Sequence, residues 1–206
     1  MILELADSVR TGVLIIAFLV SVYYWKNYKN SAQKYFPFLM LFATIVEVTG
    51  SVRLYYEKET SNFLYNVYLI ISFVFLLIWF ITILKRKIIP KILLFVFLAA
   101  TVFSVFTESA TGDLYFYMLM TGSVFILAGA FLFFKQLIET DAAVYFIKNQ
   151  QFWIMSGLLV FYIGFLPFYL LVRNLDLHDY RIGLVIPLLN ILLYGCFIIG
   201  FKCPSK

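Results

Sequence analysis

Charge is scarce in this 206-residue chain: Asp, Glu, Lys and Arg together make up 13% of it, about half the share of an ordinary soluble domain. With 64% hydrophobic residues beside that scarcity, a water-soluble globule is excluded and lipid is the expected solvent. Runs of Gly, Ser, Pro or like charge long enough to mark a linker are also missing. The expectation is one transmembrane helical domain over residues 1–206.

Histidine is nearly absent, and the single one, His178, falls in a loop. One imidazole cannot build a multi-histidine metal site, and a Ser/His dyad within the membrane has no base. Cys196 and Cys203 stand ~10 Å apart along a helix at 1.5 Å per residue, too far for an unstrained bridge. No phosphate-cradling glycine loop or dinucleotide fingerprint occurs. Only one acidic residue, Glu47, is placed deep in a span, so the paired carboxylates of an intramembrane aspartyl protease cannot be assembled. Neither an enzyme nor a cofactor is expected. The last span, 182–201, contains no lysine, which rules out a retinal Schiff base. The absence of an internal repeat argues against the two parallel three-helix repeats of the sugar-permeating SWEET family.

What is present is apolar sequence in blocks of membrane-crossing length. A hydrocarbon core ~30 Å thick needs about 20 helical residues, and lipid offers an open backbone no hydrogen-bond partner. Seven segments qualify, at about 9–25, 35–55, 63–84, 88–106, 114–134, 152–172 and 182–201, so an all-α polytopic bundle of seven helices is predicted. Pro90 suits the first turn of the fourth span. Pro167 and Pro187 are placed inside the sixth and seventh, where they shape packing.

The sixteen Lys and Arg residues divide unevenly between alternate loops. One side collects Lys26, Lys29, Lys34, Lys85, Arg86, Lys87, Lys91, Lys135, Lys148, Lys202 and Lys206. The other has Arg10, Arg53, Lys58, Arg173 and Arg181. Cytoplasmic loops keep positive charge, so the amino terminus is expected outside, the carboxyl terminus in the cytoplasm, and the protein in the cytoplasmic (inner) membrane. Topology thus accounts for a pI near 9.1 without nucleic acid as a partner. The opening MILELADSVR carries Glu4 and Asp7 before its first positive charge, unlike a cleaved leader, so the first span is expected to be retained. Between the fifth and sixth spans, Ile138, Ala142, Tyr145 and Phe146 recur at helical spacing, as in a helix lying at the inner interface.

Glu47 lies in the run LFATIVEVTGSVRLYY, ~12 Å below the outer end of its span. An ionised group at such depth costs roughly 2.5–3.5 kcal/mol on insertion scales, so it is expected to face the bundle interior. Thr44, Glu47, Ser51 and Tyr55 share a helical face. Asn190 and Thr121 fall at comparable depth, Asn66 and Ser104 shallower, and Tyr162 belongs to the same outer half. The inner half is Phe, Leu, Ile and Val almost throughout, so a pocket open only to the outside fits better than a through-path. Glu47, Asn190, Thr121, Asn66, Tyr162 and Ser51 are therefore the candidate ligand- or proton-binding residues. Interhelical hydrogen bonding at about 0.6 kcal/mol per bond is the plain alternative.

Glu47 in the second span, LYNVY at 64–68 and FWIMSGLLVFYIG at 152–164 together resemble small multi-span membrane proteins of Bacteroidota. That likeness implies the span count and brings no activity with it. The expected role is ligand sensing or service as an accessory subunit, with a cytoplasmic or membrane protein partner; association of the chain with copies of itself is left open. Small-solute or proton-coupled transport, or a pore, through Glu47 is the alternative.

Overall fold

The computed structural model describes residues 2–56, 62–109, 114–139, 146–175 and 183–203, and those residues are almost wholly helical, with no strand among them. Among the described residues seven long helices follow one another: α1 Ile2–Tyr23, α2 Phe36–Tyr56, α3 Asn62–Ile83, α4 Ile88–Thr107, α5 Phe116–Ile138, α6 Gln150–Leu175 and α7 Val185–Lys202. Short 3₁₀ turns at Trp25–Asn27, Ala32–Tyr35 and Phe146–Lys148 fill the connections. All seven are long and apolar enough to cross a bilayer. Large side chains such as Phe95, Phe106 and Phe131 lie exposed on their flanks, as lipid-facing residues do. The chain is a multi-pass membrane protein.

Helix ends differ from the sequence expectation where polar residues continue a helix beyond its apolar part. Charge limits a span, whereas a helix tolerates it. α1 starts at Ile2 rather than near residue 9: acidic residues in its first turns suit the positive end of the helix dipole. Asp7 pairs with Arg10 at 3.4 Å, and the Thr11 hydroxyl donates back to the Asp7 carbonyl. α5 continues to Ile138, carrying Gln136 to the α3–α4 connection. α7 begins at Val185, which puts Pro187 in a first turn, where its missing N–H leaves no bond unmade. Pro167 does lie inside its helix, α6. Most of the segment expected to lie at the inner interface, 140–145, is outside the described residues. Of its flanks, Ile138 ends α5 exposed, and the Phe146 ring packs on Phe152 at 4.7 Å.

The chain divides into two compact units, Met1–Met40 with Leu137–Lys206, and Leu41–Gln136. In the second unit α3 runs parallel to α5 in a seven-residue register. Asn66, Phe73 and Phe80 meet Tyr115, Gly122 and Gly129 in turn. Seven residues are two helical turns, so the same face of α3 meets the same face of α5 each time. The glycines are recesses for phenylalanine: a Cβ on Gly122 would stand 2.7 Å from the Phe73 ring, and one on Gly129 would collide with Phe80. Lipid supplies no hydrophobic drive between helices, so such close packing has to supply the attraction.

In the first unit α7 packs against both α6 and α1. α6 and α7 are antiparallel: Gly157 lies against Leu193 and Cys196, Gly164 against Leu189, and Gly200 against Gln150 and Trp153. Tyr28 stacks on Phe201 with ring centroids 5.6 Å apart, and Phe36 meets Phe197 and Phe201 edge-on. These contacts pin the α1–α2 connection to the end of α7.

Candidate functional site

Glu47 is buried, 9% exposed. On α2 the buried residues Met40, Ala43, Val46, Glu47 and Gly50 form one stripe, at the three- and four-residue spacing of a packed helix face. Glu47 is at the edge of that stripe. Ser51, some 40° further round at 100° per residue, is exposed, and Thr44 on the same side is half-buried. Glu47 thus belongs with the packed face, whereas the polar stripe read from the sequence runs along its margin.

Two contacts fix the level of Glu47 within its unit. Phe42 packs on Tyr68 at 5.9 Å. One turn beyond Glu47, Gly50 makes room for Tyr65: a Cβ there would lie 2.5 Å from the phenolic oxygen. The carboxylate therefore sits at the height of Tyr65 to Tyr68 on α3, about 13 Å from the end of α2 at 1.5 Å per residue.

Asn66 has a structural task. The first four N–H groups of a helix have no partner in the helix itself, and in α5 all four are met by side chains. Tyr115 N–H donates to Asn66 Oδ1 at 2.9 Å. Phe116 and Tyr117 N–H donate to the two carboxylate oxygens of Glu108, at 2.6 and 3.4 Å. Met118 N–H donates to Ser104 Oγ at 3.0 Å. Glu108 also places a negative charge at the positive end of the helix dipole. At the far end of α5, Gln136 Oε1 accepts from Lys85 N–H at 2.8 Å, and its Nε2 donates to the Ile83 carbonyl.

The remaining candidates are distributed as follows. Thr121 stands on α5 beside the Gly122 recess, half-buried. Tyr162 and Asn190 belong to the other unit. Tyr162 is 8% exposed in a ring cluster with Phe161 and Phe165. The Asn190 amide donates to the Ile186 carbonyl of its own helix at 3.0 Å, which holds it as local glue. His178 and Tyr55's side chain lie outside the described residues. Among the described residues, no three His, Cys, Asp or Glu side chains gather as metal ligands would. Comparison with known protein families, with curated proteins and with solved structures finds no match.

One polar cavity was not foreseen from the sequence. It measures about 390 Å³ and is lined by Lys26, Asn27, Asn30, Ser31, Ala32, Gln33 and Gln151. The connection that forms it is tied down throughout. The Tyr28 hydroxyl donates to the Ser21 carbonyl near the end of α1, the Trp25 indole donates to the Lys34 carbonyl at 3.1 Å, and Ser31 Oγ both donates to the Tyr28 carbonyl and accepts from Gln33 N–H. Burial pushes the Tyr28 phenol well above its ordinary range, so it remains a donor at any physiological pH. Gln33 is wholly buried, and neither its Oε1 nor its Nε2 has a hydrogen-bond partner; the same holds for Gln150, next to Gln151 in the chain. A glutamine in a short loop reads as solvated, so its burial has no sign in the neighbouring sequence. The aromatic spacing Trp25, Tyr28, Phe36 is the one sequence signal for such a folded-back loop.

Proposed function

We propose that the chain is a cytoplasmic-membrane protein, amino terminus outside and carboxyl terminus inside, that binds a polar ligand from the outer side at Glu47 and serves as a sensor or accessory subunit. It catalyses no reaction and needs no cofactor. The burial of Glu47 carries this reading: a carboxylate kept from lipid on a packed helix face has a use that an apolar residue there would not. Tyr65, whose phenol lies against Gly50 one turn beyond Glu47, is an addition to it, and Thr121 of the same unit stays a candidate. Asn66 and Asn190, whose amides serve the backbone, contribute position rather than binding. A signal would pass to a partner protein, with the basic connections on the opposite side as the contact.

The alternative is proton-coupled transport through Glu47, which requires its charge to change during a cycle. Purified protein in liposomes with a trapped pH-sensitive dye separates the two. Under the sensor reading, liposomes with protein hold an imposed pH gradient as long as empty ones. A leak that Glu47→Gln abolishes would replace the sensor with the transporter.

A further inference from the structure

We infer that the cavity between the α1–α2 connection and the start of α6 is a second binding site, for an anionic phosphate ester that carries free hydroxyls. Its lining sets that chemistry. Lys26 contributes a positive charge and no carboxylate lines the cavity among the described residues, which favours an anion over a cation. Asn27, Asn30, Gln33 and Gln151 supply carboxamides, each able to donate and accept, as hydroxyl groups need. One ammonium matches the single charge of a phosphodiester. The volume, about 390 Å³, lies within the usual range of about 300–1,000 Å³ for small-molecule sites.

The unpartnered Gln33 is the independent observation. A buried carboxamide with no hydrogen bond is rare, and each such group calls for an explanation. Gln33 is fully covered yet belongs to the cavity wall. The terminal torsion of glutamine is soft, so its amide can reorient when a ligand binds. Its surroundings are firm: the Tyr28, Trp25 and Ser31 hydrogen bonds hold the wall before anything binds, which lowers the ordering cost of binding.

Position favours a lipid headgroup as the source. The cavity lies where α1 ends and α2 begins, with Tyr23, Trp25 and Tyr35 exposed around it, as aromatic side chains are at a membrane–water boundary. Lys29 and Lys34 flank it in the same connection and would draw anionic lipid. A phosphatidylglycerol headgroup has the required net charge and hydroxyls; in phosphatidylcholine a quaternary ammonium offsets the phosphodiester charge, and there is no hydroxyl.

Native mass spectrometry of the full chain in a neutral detergent tests the inference, with short-chain phosphatidylglycerol, phosphatidylcholine and soluble glycerol 3-phosphate as separate probes. Phosphatidylglycerol should bind at least about tenfold more tightly than phosphatidylcholine. Lys26→Gln and Gln151→Leu should each weaken it about tenfold, the worth of a bond to a charged group. Lys85→Gln, in the other unit, should change nothing. Glycerol 3-phosphate binding with the same dependence on Lys26, without lipid binding, would support the site and reassign its source to a soluble metabolite. Failure of both probes, or equal binding by Lys26→Gln and Lys85→Gln, would overturn it. Gln33→Leu should abolish binding while leaving the ligand-free melting temperature unchanged or raised. Binding that survives in a folded Gln33→Leu protein would also overturn it, and if that variant does not fold, Lys26→Gln decides.

Discussion

The two units differ in what they do with buried carboxamides. In the unit formed by residues 41–136, Asn66, Ser104 and Glu108 meet the exposed amides of α5, and Gln136 closes the α3–α4 connection. Ser72 and Ser123 there have unpartnered hydroxyls, but a hydroxyl can rotate onto a carbonyl of its own helix at little cost. In the other unit, Gln33 and Gln150 are sealed away with both amide atoms unpaired. Polar groups that hold a helix in place are used up in the folded state. Gln33, left unused, belongs to the wall of the cavity assigned to a ligand.

Substitutions can break that contrast, and the largest effect belongs to the packed register. Gly122→Leu forces a side chain into the Phe73 ring, so thermal unfolding in detergent should show a loss of about 3 kcal/mol or more, or no folded protein. An unaltered melting temperature would mean that α3 and α5 do not meet at that point. Asn66→Leu and Glu108→Ala remove caps from α5 and should each cost about 1–2 kcal/mol. Glu108→Gln keeps an acceptor and loses the charge, so it should cost less than Glu108→Ala. Gln150→Leu should act in the other direction: removing an unsatisfied buried amide stabilises by about 1 kcal/mol. Equal destabilisation by Asn66→Leu and Gln150→Leu would erase the difference between the units. The smallest change is expected from Gly12→Ala. Nothing lies within 4 Å of a Cβ at Gly12, so better helix propensity should give a gain of about 0.5–1 kcal/mol.

The seven spans were legible because hydropathy and length decide them, and Pro90 marked the first turn of α4 as expected. Helix ends were less so: Glu4 and Asp7 bound an apolar run but still extend α1, and Pro187 marks a start where an interior position was expected. The burial of Glu47 could be anticipated from the cost of exposing it to lipid. The Ser51 side of α2 could not, because a wheel groups polar residues without showing which edge of the group meets a neighbour. Asn66 read as a ligand candidate for want of its partner, an amide 49 positions away at the start of another helix. Gln33 escaped notice altogether, since a polar residue in a short loop carries no local sign of burial.

The central claim is that Glu47 can be reached by water from the outer side. Placing a lone cysteine there, as Glu47→Cys in a Cys196→Ser, Cys203→Ser background, allows a charged, membrane-impermeant thiol reagent to probe it. Modification of intact, right-side-out spheroplasts, with no reaction from the inner face of inverted vesicles, is the predicted result. Reaction only from the inner face, or from neither, would contradict the account.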